Sequence, residues 1–151
     1  MSETADLRAA LEARLATLSG LPASTTWAKE NEDFTPDLET PHLRLRLAFD
    51  PPVSHEQPAS LARIWKSGVF EVRCYYPPLA GSAAADLVAE TILDGFPYGL
   101  ELTSGSTTVQ ISRRNGRPAP PRRWGGGLDE DKQFWVVLCE VPWQIVAANT
   151  L

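Results

Sequence analysis

Leucines at 7, 11, 15 and 18, with Ala10 beside them, recur every three or four residues, and Arg8, Glu12 and Arg14 take the other side. That period predicts an amphipathic helix that packs with one face only. Ser2 or Thr4 can cap it, Glu3 and Asp6 suit its positive end, and Gly20 and Pro22 end it. Residues 24–41 are polar and predict loop around one short extended piece at Trp27. HLRLRLAF then alternates. Leu43, Leu45 and Leu47 face one way and Arg44 and Arg46 the other, which is the period of a half-buried strand. Asp50-Pro51-Pro52 stops it, because proline cannot continue a ladder.

A longer strand is predicted from about Leu61 to Tyr76, interrupted at Ser67-Gly68. Phe70, Val72, Cys74 and Tyr76 share one face; Val69, Glu71, Arg73 and Tyr75 share the other. Segments 42–49 and 61–76 read as one long antiparallel hairpin with a Pro-rich tip around 51–58. Ser82 and the alanines after it open a second helix running to about Asp94, with Gly95 as its C-cap. Its predicted buried stripe is Ala84, Leu87, Val88, Thr91 and Ile92. Two short strands follow, near 100–103 and 107–112, joined by Ser104-Gly105-Ser106. Residues 113–132, with three Pro and four Gly, predict an irregular loop. FWVVLCEV predicts a last, central strand over about 133–145, with Pro142 marking an edge position or a bulge.

This order predicts a single α+β domain over residues 1–151: a mainly antiparallel sheet of about five strands with two helices on one face. No third element is left for the other face. It carries Val69, Tyr75 and, on this reading, aromatics of the last strand, and a half-apolar uncovered face calls for a partner.

Charge sharpens that expectation. The net charge of −5 argues against a surface given over to nucleic acid or an anionic membrane. It is unevenly placed. Residues 1–60 hold ten acids and five bases, whereas residues 61–151 hold nine of each. Arg113, Arg114, Arg117, Arg122 and Arg123 crowd one loop beside Trp124, and segment 30–39, with Glu30, Glu32 and Asp33, holds five acids and no base. Opposite charges in separate segments suit contact between identical subunits, loop 113–123 of one against 30–39 of the next. Arg44, Arg46 and Arg73 stand opposite the leucines of their strands; they either pair with acids of a neighbour or are simply solvated.

Candidate chemistry is thin. Only His42 and His55 are available, with no nucleophile elbow, no paired metal-ligand spacing and no Lys-Ser/Thr after Gly125-Gly126-Gly127. The acidic runs at 30–33 and 129–131 read as solvated charge. No catalytic, cofactor or metal residue is expected. Cys74 and Cys139 sit in apolar runs and read as buried free thiols, which points to folding inside the cell. No signal-peptide pattern opens the chain, and no apolar run approaches the length of a membrane span.

The segments LRAALEARLATL, DFTPDLETPHLRLRL with the Trp27 region, GVFEVRCYYPPLAGSAAA, FPYGLEL with the VQI strand, and FWVVLCEVPW together resemble the tail terminator (tail completion) proteins of long-tailed phages and prophages, similar in plan to the lambda tail terminator. The resemblance covers almost the whole chain; loop 113–132 matches least well. It implies a non-enzymatic virion protein, made in the host cytoplasm, that forms a hexameric ring at the head–tail junction. Such a ring stops tube polymerisation and offers a surface to the connector or stopper, and DNA passes through its lumen without sequence-specific binding. Its implied partners are itself, the tail-tube protein and the head–tail connector. Rival readings are another neck or tail-tube ring protein, a small enzyme or ligand-binding domain using the Trp-rich face, and a nucleic-acid-binding module using the arginine loop.

Overall fold

The computed structural model of the chain describes residues 2–30, 32–51, 63–78 and 82–148. The tip of the predicted hairpin beyond Pro51, and His55 with it, lies outside the described residues.

The first helix, α1, spans Glu3–Ala16, and the Ser2 hydroxyl caps it by accepting from the Ala5 N–H at 3.1 Å. It ends before Gly20, at Thr17, whose N–H donates back to the Arg14 carbonyl. Strand β1 is the two-residue piece Trp27–Ala28; β2 is His42–Phe49 and β3 is Arg63–Tyr76. Helix α2 is Ser82–Gly95. Then come β4 (Glu101–Ser104), β5 (Thr107–Ile111), the two-residue strands β6 (Arg113–Arg114) and β7 (Arg117–Pro118), β8 (Arg122–Leu128) and β9 (Trp135–Ala148).

The architecture is α+β, but the sheet is mixed rather than mainly antiparallel, and it has seven strands rather than five. Its order is β1-β2-β3-β9-β5-β4, with β8 also paired to β9. The parallel pairing comes from β1, where Trp27 lies beside Leu43. Trp27 is held there by burial and by donating its indole N–H to the Pro22 carbonyl at 2.9 Å. The other pairings are antiparallel, and β2 and β3 do form the predicted hairpin arms, Leu43 opposite Cys74 and Leu47 opposite Phe70. Strand β3 runs through Ser67-Gly68 without interruption. Gly68 sits where a Cβ would meet the Ala48 carbonyl oxygen at 1.9 Å, so the glycine serves close strand approach and not a break.

The least regular predicted stretch, 113–132, contains the whole of β6, β7 and β8. Three of its four glycines lie in β8, where the register against β9 shifts between Trp124 and Gly127. Gly125, at φ +60, supplies the left-handed residue that such a bulge needs. Pro142 is central, not at an edge. Its carbonyl accepts from the Ser112 N–H, so its ring nitrogen points away from β3. It stands where the outer side of β9 passes from β8 (up to Glu140) to β5 (from Trp143), and there the missing N–H removes no ladder bond.

Both helices cover one face. Leu7, Leu11 and Leu15 of α1 and Ala85, Val88 and Ile92 of α2 share a core with Leu43, Leu45, Leu47, Phe70, Val72, Cys74, Val137, Cys139, Val141 and Trp143. The stripe of α2 is rotated from the predicted one: Ala85, Val88, Ala89 and Ile92 are buried, while Ala84 is exposed and Leu87 is 64% exposed. Trp135 and Trp143 also turn toward this core, so of the aromatics in the predicted last strand only Phe134, which packs on His42 and Tyr75, lies on the far face. Cys74 and Cys139 are buried free thiols; Cys139 beside it, and burial, raise the Cys74 thiol well above its ordinary value.

Candidate interaction face

Strand alternation sends every second residue of β2, β3, β9 and β8 to the face away from the helices. Register then sets these residues in rows. Arg44 lies opposite Arg73, Arg73 opposite Leu138, and Leu138 opposite Trp124. The next row is Arg46, Glu71, Glu140 and Arg122. The arginines and Trp124 are exposed, and Leu138, Glu71 and Glu140 are half-buried. This is a basic surface with an apolar end, one row of which also carries two acids.

Only part of the face is open. At one end His42 stacks on Tyr75, with centroids 4.6 Å apart, and the Phe134 ring stands edge-on to both. Tyr75 is therefore buried, contrary to the expectation of an uncovered ring, and Val69 is buried too. The Arg44 guanidinium lies 4.4 Å from the Tyr75 ring centre and donates from Nε to His42 Nε2 at 3.2 Å. Burial, and then the Arg44 charge, push the His42 imidazole down to about 4, so it is neutral and accepts that bond. At the other end the β6–β7 hairpin folds over buried polar groups of the sheet. The Gly116 N–H donates to Gln144 Oε1 at 2.8 Å, and Ser67 bonds both Asp50 and Asn115 at 2.8 Å. Two open grooves flank Arg44, Arg73 and Tyr75. One, of about 430 Å³, is walled by Glu30, Glu32 and Phe34; the other, of about 570 Å³, by Leu128, residues 129–131 and Phe134.

The twelve sequence candidates divide by what already holds them. Arg44, Arg46, Arg73, Arg122 and Trp124 come together on the open face. Arg46 reaches Glu71 at 3.6 Å, while Arg44, Arg73 and Arg122 meet no acid within 4 Å among the described residues. Arg114 is committed to Asp50, with Nε to Oδ2 at 2.8 Å, and Arg123, on the helix side of β8, is committed to Asp86 of α2. Arg113 leans on Tyr98 at 5.8 Å, and Arg117 is exposed in β7. Glu30 is tied down: it accepts from Arg8 at 2.9 Å and from the Leu47 N–H. Burial alone would raise its carboxyl; the Leu47 N–H and Arg8 more than reverse that and hold it below its ordinary value. Glu32 and Asp33 are exposed. Sequence reasoning thus found the arginines but treated 113–123 as one basic loop, whereas pairing splits it between two faces. It missed Glu140 and Leu138, whose alternation within FWVVLCEV is hidden because both faces there are apolar or half-buried.

Among the described residues no group of three or more His, Cys, Asp or Glu is placed to hold a metal ion, and no helix is long and apolar enough to cross a membrane.

A family model described as phage tail terminator protein matches residues 6–143. No curated protein sequence matches the chain. One solved structure, which carries no functional name, aligns with a TM-score of 0.65 over 92% of each chain at 23% identity, a likeness of fold.

Proposed function

The chain belongs to the phage tail terminator family, and on that premise we propose that it forms a ring, most simply of six subunits, that caps the tail tube. Membership makes it a structural component of a phage tail that meets other tail or head–tail proteins. In our reading the ring ends tube polymerisation, offers the joining surface for the head connector, and lets DNA pass through its lumen without reading its sequence. It performs no catalysis, and it assembles in the host cytoplasm before entering the virion.

The observation that carries this reading is the open sheet face. The folded chain leaves Arg44 directly opposite Arg73, with exposed Trp124 in the same row and no acid within 4 Å of either arginine among the described residues, a basic row that suits an acidic partner surface. Exposed Trp and Arg are the residue types that most often carry binding energy between proteins. Arg46 and Arg122 extend that contact surface. The hairpin with Arg113, Arg114 and Arg117, and the wall with Glu30, Glu32 and Asp33, frame it; Arg123 supports it through α2. Which side meets the tube follows from which of these rims stays exposed in the ring.

Native mass spectrometry of the purified protein, alone and with tail-tube protein, tests the proposal. A discrete six-subunit species is expected. A strict monomer in both conditions contradicts it.

A further inference from the structure

The open face has a complement on the opposite side of the same molecule. Helix α2 carries Asp86, Glu90 and Asp94 and no basic residue. Its outward line is Ala83, Leu87, Glu90 and Asp94, spaced as residues on one helix face are, and all four are exposed, Leu87 by 64%. Asp86 is taken by Arg123, but neither Glu90 nor Asp94 has a basic partner among the described residues. One end of the line is apolar and the other is acidic.

The row on the sheet face has the matching order. It runs from Trp124 and Leu138, through Arg73, to Arg44. Strands lie about 4.8 Å apart, so Leu138 and Arg44, two strands apart, are separated by about 10 Å. A helix rises about 1.5 Å per residue, so Leu87 and Asp94 are also separated by about 10 Å, with Glu90 between them. We infer that α2 of one subunit lies across the strands of the next. Leu87 then packs on Leu138 and Trp124, Glu90 pairs with Arg73, and Asp94 pairs with Arg44. The rim acids Glu30 and Asp129 are bonded within their own chain, and Glu32, Glu130 and Asp131 line the grooves beside the row and do not stand in it. The occupant is therefore a second copy of this chain. Since the helix layer and the open face are on opposite sides of the sheet, the contact is head-to-tail, the kind that repeats from subunit to subunit and closes into a ring.

This inference rests on the proposed ring and specifies its subunit contact. Its test is a charge exchange read by native mass spectrometry and sedimentation, with circular dichroism to verify that each variant is folded. Glu90→Arg with Asp94→Arg gives a chain basic on both surfaces; Arg44→Glu with Arg73→Glu gives one acidic on both. Each alone is expected to dissociate, with the apparent dissociation constant raised about tenfold or more. Mixed in equal amounts, they are expected to assemble again into rings in which the two alternate. If the Arg44 change prevents folding, Arg73→Glu alone serves in the same pairing. Wild-type rings with charge variants that still assemble, or a mixture that stays dissociated, overturn this contact and leave the ring standing. A wild-type chain that assembles neither alone nor with tail-tube protein overturns both.

Discussion

Arg114 grips Asp50 with its Nε on Oδ2 at 2.8 Å and its Nη2 on Oδ1, a two-pronged contact between the β6–β7 hairpin and the end of β2. Asp50 also accepts from Ser67, and Arg114 foremost holds its carboxyl below the ordinary aspartate value. The pair helps fasten a hairpin only two residues per strand long, together with the Gly116–Gln144 and Ser67–Asn115 bonds. Replacing Arg114 by Ala should therefore cost about 1–2 kcal/mol, with part of the cost from leaving Asp50 half-buried without its cation. Urea denaturation checks this, and faster amide exchange confined to 113–118 should accompany it.

His42 predicts a pH dependence. Its folded value, about 4, lies below the ordinary 6.5. Between these two values the unfolded chain binds a proton that the folded chain does not, so stability falls as pH drops through that window and is independent of this group above it. Urea midpoints measured down the window should decline for the wild type and decline less for His42→Phe. Equal slopes for the two proteins would show that His42 is not responsible.

Two glycines should respond oppositely to the same change. At Gly68 an added methyl meets the Ala48 carbonyl at 1.9 Å, a backbone atom that moves only if β2 and β3 separate. Gly68→Ala should cost about 3 kcal/mol or more. At Gly127 nothing lies within 4 Å of the same methyl, and Gly127→Ala should be close to neutral or slightly stabilising. Paired thermal melts decide the comparison.

Trp124 is 50% exposed, so Trp124→Ala should change the stability of the single subunit by no more than about 0.5 kcal/mol. If the open face is the subunit contact, the same substitution should shift assembled protein toward monomer by about tenfold or more. Sedimentation at matched concentrations separates the two effects.

The legible parts of the fold were those with a clean period. The leucine repeat of α1 and the Leu–Arg alternation of β2 report their faces directly, because each element has one apolar and one polar side. The α2 stripe was misread because its alanines and Leu87 leave no unique apolar face; packing chose Ala85, Val88 and Ala89 and turned Leu87 outward. Strand β8 was hidden in Arg-Arg-Trp-Gly-Gly-Gly, since glycines read as loop until a bulge gives them a place. The open face was legible as arginines opposite leucines. Its row order, and the commitment of Arg114, Arg123 and Glu30 to partners 64, 37 and 22 residues away, are matters of register that no local pattern carries.

The most direct measurement is electron microscopy of tail tubes polymerised in the presence and absence of this protein. We predict tubes of limited length, each bearing one ring of extra density at a single end, with both the ring and the length control lost in the Arg44→Glu, Arg73→Glu variant. Tubes that elongate equally with and without the protein, and carry no terminal ring, would contradict the account.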